Sequence, residues 1–467
     1  RVGGIAISFG ALIPIFVWAD LTQELVAYLL GSLIIVVFGI WDDRKELGYK
    51  TNLFGQILAK SVFIKWVQLY IQWLPFQGLS IAPLWLSLLL TYFSLLGITN
   101  AVNLTDGLDG LAGGTSLISL TGICLLAFAS GSESLVVLCL AVCGSIFGFL
   151  RYNTHPARIF MGDTGSQFLG FTVGVAAVLL TQQANTALSP VLPLILLGLP
   201  ILDTLTVMTR RIMQKRSPFS PDKNHFHHRL MAMNFKHYEA VIIIYLVQIA
   251  LIAIAFVMRY SPDLVLLLLF LRFCFGFNGA FRLAESNGWQ YQGNWFRKMA
   301  GQINASLERR KTTRVTVKML GPFLQLSLPL YLFVCFWVGK NVEGVVPVLT
   351  AMCVFSIALL TQKHTELTLW LRRVLWYAAC GLAVYCSAQV DFYLNVYAKL
   401  YTGILVISVL LAFYLGRRED FKINPLDVIV LLGAAILFYT GKEGGIFAGI
   451  GYHFAQDMLL LYAVELA

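Results

Sequence analysis

The sequence predicts an all-α, polytopic transmembrane helical bundle of about 15–16 spans, and three observations carry that prediction. Of 467 residues, 58% are hydrophobic and only 12% charged. The mean hydropathy of +0.75 is far too high for a soluble globular chain. Apolar runs of roughly 20 residues, long enough to cross a bilayer, recur almost end to end. The runs are continuous rather than alternating, so helices, which satisfy their own backbone groups, are the spanning element.

In chain order the candidate spans are 3–19, 24–41, 52–71, 81–98, 110–129, 132–150, 165–181, 189–208, 239–258, 263–279, 319–339, 345–361, 369–387, 399–415 and 426–440, with a poorer sixteenth at 446–465. When alternate loops are assigned to opposite sides, nearly all of the 34 Lys and Arg residues fall on one side. Only Arg259, Lys340, Lys399 and Lys442 fall on the other, while Lys60, Lys65 and Arg272 lie inside spans. That asymmetry marks the basic side as cytoplasmic. Orientation in the lipid bilayer therefore accounts for the formal net charge of +10, and no nucleic-acid partner is expected. The eight cysteines all lie in apolar runs without a C-x-x-C pair, as buried small hydrophobes do.

Past residue 240 the loops carry mainly Lys and Arg, and Asn294–Lys318 reads as a basic cytoplasmic loop or surface helix near anionic lipid. This shift divides the chain into 1–240, which holds the polar clusters, and 241–467, additional transmembrane helices without an assigned role.

Four polar clusters interrupt the apolar pattern, all on the basic side. In Asn100–Gly114, NAVNLTDGLDGLAGG, Asn103, Asp106 and Asp109 are spaced by three, so a helical turn would align them on one face, and the glycines allow close approach of backbone or ligand. A glycine-rich helix contact with capping aspartates is the bland alternative. Asp42 and Asp43 end the run FGIWDD, followed by Lys50 and Gln56. Adjacent carboxylates repel and call for a nearby cation or proton, although a solvated helix end would carry the same residues. RIFMGDTGS, Arg158 to Ser166, sets Asp163, Thr164 and Ser166 where they would cap the next span. Its helix start and glycines equally suit a phosphate, and Asp163 a hard cation. The Pro-punctuated loop SPFSPDKNHFHHRLM carries His225, His227, His228 and Arg229. Zinc is conceivable there, but the neighbouring acids, glycines and bases suit pyrophosphate and magnesium better.

These four stretches, in order and at the expected intervals, resemble the polyprenyl-phosphate N-acetylhexosamine-1-phosphate transferase family over residues 1 to about 240. The SPFSPDKNHFHH form looks most like the bacterial undecaprenyl-phosphate N-acetylglucosamine-1-phosphate transferases. The resemblance implies transfer of GlcNAc-1-phosphate from a UDP-N-acetylhexosamine to undecaprenyl phosphate, with release of UMP. That would be the first membrane step of an envelope polysaccharide such as a lipopolysaccharide O-antigen, at the bacterial inner membrane with the site facing the cytoplasm. It implies Mg2+, with Mn2+ as a substitute, on Asp163 and Asn103. Asp42, Asp43, Asp163 and Lys50 would be catalytic. Asn100, Asp106, Asp109, Phe160, His225, His227, His228 and Arg229 would bind substrate, with Asp109 on the uracil edge and Phe160 stacked on its ring. A homodimer is compatible with the resemblance. Val2-Gly3-Gly4 looks like the end of the family's first cytoplasmic loop, so a preceding helix and the rest of that loop are expected upstream.

Two other classes compete. A secondary transporter suits the number of spans, but it would place binding groups near the bilayer midplane. The CDP-alcohol phosphotransferases share DG-rich aspartates, but Asp106-Gly107 is followed by Leu-Asp-Gly-Leu instead of their DG-x2-AR pattern. A non-catalytic lipid-binding scaffold is a third reading.

Overall fold

The structure is a computed structural model that describes residues 2–45, 47–72, 82–217 and 225–292. The candidate spans from 319 onward lie outside the described residues. The ten before them correspond to helices α1 (Gly3–Trp18), α2 (Gln23–Lys45), α3 (Tyr49–Val67), α4 (Leu84–Leu104), α5 (Leu111–Ala129), α6 (Glu133–Asn153), α7 (Gly162–Leu179), α8 (Leu192–Leu196) with α9 (Gly198–Met213), α11 (His237–Val257) and α12 (Asp263–Ser286). A short α10 (Phe226–Ala232) forms from the histidine stretch. Seven described helices are long and apolar enough to cross a membrane: α2, α4, α5, α6, α7 with its π-helical extension Leu180–Ala184, α11 and α12. The chain is thus an all-α, multi-pass membrane protein.

The bundle is built around α7, whose membrane-length segment is buried on every side, whereas α12 is mostly exposed. An all-round apolar helix belongs inside a bundle, and small residues let its neighbours close in. A Cβ at Gly170 would lie 2.7 Å from the Thr99 Cα of α4, and one at Gly31 of α2 would lie 2.8 Å from the Phe171 ring. Gly4 of α1 and Gly165 of α7 meet backbone to backbone. Such contacts replace the missing hydrophobic drive between helices in lipid with close packing.

The span expected at 189–208 is one run in sequence but two helices in the structure, broken at Leu197. Pro200 is the reason: it has no N–H to give to the carbonyl four residues back, that of Leu196. Gln248 of α11, fully buried, donates to the Leu196 carbonyl at 2.7 Å instead, and the Ser119 hydroxyl adds a 3.3 Å bond. The compact unit also continues past residue 240, its main segment being Arg1–Gln292, because α11 packs along α5 and α8 and α12 along α8 and α9. The loop composition changes near 240, whereas this packing runs on to Gln292.

Gln248 yields a test of this break. Gln248→Leu should cost about 1–3 kcal/mol by stripping a buried carbonyl of its main donor, read as a lower thermal midpoint in detergent. An unchanged midpoint would mean that Ser119 alone satisfies Leu196.

Candidate functional site

At one end of the bundle the floor of the site is the seam between α2 and α7. Gly39 and Asp43 are four apart and share one face of α2. A Cβ at Gly39 would sit 2.5 Å from the Thr164 Cα. That approach brings the Asp43 carboxylate onto the α7 N-terminus, where it accepts from the Asp163 N–H (3.0 Å), the Thr164 N–H (3.1 Å) and the Thr164 hydroxyl (2.6 Å). Free amides of a first helical turn need such acceptors, and a negative charge there is favoured by the helix dipole. The cap position of α7 itself, Met161, makes no side-chain cap. The expected local cap by Asp163, Thr164 and Ser166 is therefore replaced by one from another helix, and the Asp163 carboxylate is left for other work. The loop before α7 is held as well, since the first amides of α1, Gly3 and Gly4, donate to the Phe160 and Met161 carbonyls at 3.0 and 2.9 Å.

The 105–110 loop forms one wall. Asn103 lies in the last turn of α4, but the helix stops at Leu104 and Asp106 and Asp109 follow in turns. The spacing of three does not place them on a helical face, because the chain must turn back into α5 through Gly110 at φ 81°. Gly110 is gripped on both sides: its N–H donates to Asn153 Oδ1 (2.9 Å) and its carbonyl accepts from the Tyr245 hydroxyl (2.6 Å). Asn103 Nδ2 donates to Asp163 Oδ1 (2.9 Å) and Ser166 Oγ (2.7 Å), joining wall to floor. The result is a cleft of about 440 Å³ whose lining includes Asn103, Asp106, Asp109, Asn153, Phe160 and Asp163. Phe160 exposes 57% of its surface there, a flat apolar ring in a polar cleft.

Other residues singled out from sequence are not among the residues that line the cleft. Asp42 is buried, and accepts from the Leu47 N–H (2.6 Å) and Asn52 Nδ2 (2.8 Å), which ties the α2–α3 turn. Asp43 holds α7 in place and lies against Gly162, which lines the cleft. Lys50 is exposed at the start of α3, with its ammonium 6.0 Å from the Tyr49 ring. Asn100 bonds to Gln56 (3.5 Å) and the Leu96 carbonyl (2.9 Å), below the cleft rather than in its lining.

The histidine helix α10 closes on the 105–110 loop. His225 Nδ1 pairs with Asp203 Oδ2 at 2.8 Å while the Phe226 N–H donates to Asp203 Oδ1 at 2.9 Å, so one buried α9 carboxylate fixes the start of α10. His227 lies against Gly107, where a Cβ would come 2.5 Å from its Nε2. Burial first, then its histidine neighbours His228, His225 and His237, push the His227 pKa down to about 3, so the ring is neutral. The His225 and His227 rings are parallel, 5.7 Å apart, a geometry in which their in-plane lone pairs do not converge as zinc ligands would. Arg229 is turned away to α12, its Nε 2.7 Å from Glu285 and its guanidinium 4.4 Å over the Phe281 ring.

Sequence reasoning missed Asp203, Asn153, His155, His237 and Glu285. Asp203 carried a readable signal, as a lone carboxylate within the apolar run 189–208, where an ionisable group is costly unless it is paired. The others sit at helix ends, where polar residues are unremarkable.

Fold and site together define a multi-pass membrane protein with an acidic, amide-lined cleft at one end of a helical bundle. The glycosyl transferase family 4 model matches residues 25–181. The "Probable undecaprenyl-phosphate N-acetylglucosaminyl 1-phosphate transferase" of Bacillus subtilis is 40% identical over 249 residues, covering 53% of this chain and 70% of that protein. The "Undecaprenyl-phosphate alpha-N-acetylglucosaminyl 1-phosphate transferase" of Escherichia coli K12 is 31% identical over 281 residues, 58% of this chain and 76% of that protein. The "Decaprenyl-phosphate N-acetylglucosaminephosphotransferase" of Mycobacterium tuberculosis H37Rv is 35% identical over 280 residues, 53% and 69%. The chain belongs to glycosyl transferase family 4, the polyprenyl-phosphate N-acetylhexosamine-1-phosphate transferases that its motifs resemble.

Two measurements test this architecture. Asp43→Ala should lower stability by about 1–2 kcal/mol, as loss of a helix cap does, with a smaller loss in Asp43→Asn, which keeps an acceptor oxygen. Equal losses would point away from capping. For His227, the folded pKa of about 3 lies below its ordinary 6.5, so the unfolded chain takes up the proton first. The stability it contributes is present above pH 6.5 and is lost as pH falls toward 3. His227→Gln should therefore flatten the fall of the thermal midpoint across that window.

Proposed function

We propose that this chain transfers N-acetylglucosamine-1-phosphate from UDP-N-acetylglucosamine to undecaprenyl phosphate, releasing UMP, in a bacterial inner membrane with the cleft facing the cytoplasm. One observation carries the reading: Asn103 and Asp163, from motifs 60 residues apart, meet at 2.9 Å in the same cleft as Phe160 and Asp109. The names of the relatives support the acceptor and the transferred group. The skew of Lys and Arg toward one side supports the orientation. An envelope polysaccharide, including an O-antigen of lipopolysaccharide, is the product class this reaction would feed.

A dicarboxylate or tricarboxylate cleft cannot take a pyrophosphate without a cation, and Asp106, Asp109 and Asp163 all line this one. The donors are hard oxygens, and Asp163 has one carboxylate oxygen bonded to Asn103 and a second without a partner among the described residues. This fits Mg2+, or Mn2+ in its place, which takes one or two carboxylates and completes its shell with substrate phosphates. Asp163 and Asn103 would hold the ion, which supplies charge neutralisation at the pyrophosphate.

In the reaction an oxygen of the lipid phosphate attacks the phosphorus that carries the sugar. The bond from that phosphorus to the bridging oxygen breaks, and UMP leaves with the bridging oxygen. A phosphate monoester has a second pKa of about 6, so the nucleophile is already largely dianionic at neutral pH and no base is required. The bonds that Asp42 and Asp43 make to backbone and side chains agree with that. The residues orient instead: Phe160 offers a face to the base, Asp109 an acceptor to its edge, and the α10 histidines polar groups beside Gly107. Rate then derives from positioning and fixed electrostatics. A cleft at the bundle end is also not where a transporter holds its cargo.

The test is UMP release from a panel of UDP-sugars, with and without Mg2+ and undecaprenyl phosphate. Release with UDP-N-acetylglucosamine that needs both additions is expected, and release with no sugar would overturn the reading. Asp163→Ala should abolish the Mg2+-dependent turnover at an unchanged thermal midpoint, and near-normal turnover would sink the metal assignment.

A further inference from the structure

Two histidines that the mechanism does not use bracket Asp109. His155 Nδ1 is 2.9 Å from Asp109 Oδ2, which also accepts from the Ala157 N–H at 3.1 Å. From the other side, the Asp109 N–H donates to His237 Nε2 at 3.2 Å, and the His155 and His237 rings stack at 4.2 Å. The carboxylate and its own peptide are thus pinned by the turn after α6 and by the first residue of α11.

The three ligand-capable atoms lie within 4.8 Å of one another, which could suggest a metal. The rings are only 21° from parallel, however, so their in-plane lone pairs run side by side instead of meeting at one ion. The bonds already present describe a clamp. With Oδ2 accepting twice, no partner for Oδ1 occurs among the described residues, and Asp109 lines the cleft beside Phe160 and Asn153. An ionised carboxylate only accepts. It therefore complements a base edge that offers an N–H, as uracil does at N3, and leaves neutral cytosine, whose N3 is itself an acceptor, facing a lone pair.

We propose that His155 and His237 are positioning residues that hold Asp109 with a single oxygen presented to the nucleobase, and so set the selectivity of the cleft for uridine over cytidine nucleotides. This deepens the proposed function, resting on its placement of the donor base. The role of His155 is to donate from Nδ1. Its ring is 45% exposed, so the fold does not depend on burying it. His237 supports the His155 ring and fixes the Asp109 peptide.

Direct binding of UMP and CMP to the full-length chain in detergent tests the proposal without turnover, which keeps its failure separate from that of the reaction assignment. The wild-type chain should prefer UMP. His155→Phe keeps the stack on His237 but loses the donor, and should cut the preference by roughly 10-fold, the scale of one charge-assisted hydrogen bond in a partly exposed site. His155→Asn places an amide N–H close to where Nδ1 lies, and should retain the preference within about threefold, less than the loss of one such bond. In turnover assays His155→Phe should raise KM for the UDP-sugar by a similar roughly 10-fold factor, while kcat at saturating donor and KM for undecaprenyl phosphate stay unchanged. A wild-type chain that binds UMP and CMP alike would overturn the proposal. So would a His155→Phe variant that keeps its preference, or a His155→Asn variant that loses as much as His155→Phe.

Discussion

The cap that Asp43 places on α7 is the interaction on which the site depends. A single carboxylate at the end of one helix accepts from two amides and a hydroxyl in the first turn of another. That frees Asp163, the acid within that turn, from capping its own helix. The glycine one turn earlier in α2 makes the approach short enough. Charge, dipole and sterics act at one contact: remove the glycine and the carboxylate is out of reach; remove the carboxylate and the amides beneath the cleft lose their acceptor.

From that contact the remaining walls follow by bonds between motifs. Asn103 bridges the α4 end to Asp163 and Ser166, Asn153 and Tyr245 grip Gly110, and Asp203 sets the start of α10. Every one joins residues far apart in sequence. The polar stretches that interrupt the apolar runs are therefore neighbours at one end of the bundle, linked partly to one another through Asn103 and partly through Asn153, Tyr245 and Asp203, which none of the motifs contains.

Much of this was legible from the chain alone. Apolar length located ten helical runs in the described region, one of them broken into α8 and α9, because in lipid a span must satisfy its own backbone and can only be helical. The cleft residues Asn103, Asp106, Asp109 and Asp163 were legible because polar groups next to spans are rare enough to stand out, whereas Phe160 was legible only through the family resemblance. What could not be read was direction. Asp42 and Asp43 are the same residue type as Asp106, Asp109 and Asp163, and only three-dimensional contact shows them turned to backbone amides, and Arg229 to a distant Glu285. The break at Leu197 needed Gln248, an amide about 50 residues later, to become tolerable. The packing continues past residue 240, where α11 and α12 bring Tyr245 to Gly110 and Glu285 to Arg229, contacts that loop composition does not report.

The backbone contacts of α7 have a mechanical consequence. A helix that touches Gly4, Gly39 and Thr99 with no side chain in between has no room to tilt or slide, so the floor of the cleft is a fixed reference. Any motion that opens the cleft therefore falls to its walls: the 105–110 loop, the turn that carries Phe160, and α10. The protein thus sets a fixed floor, locked by backbone contact, against walls joined to it by side-chain hydrogen bonds.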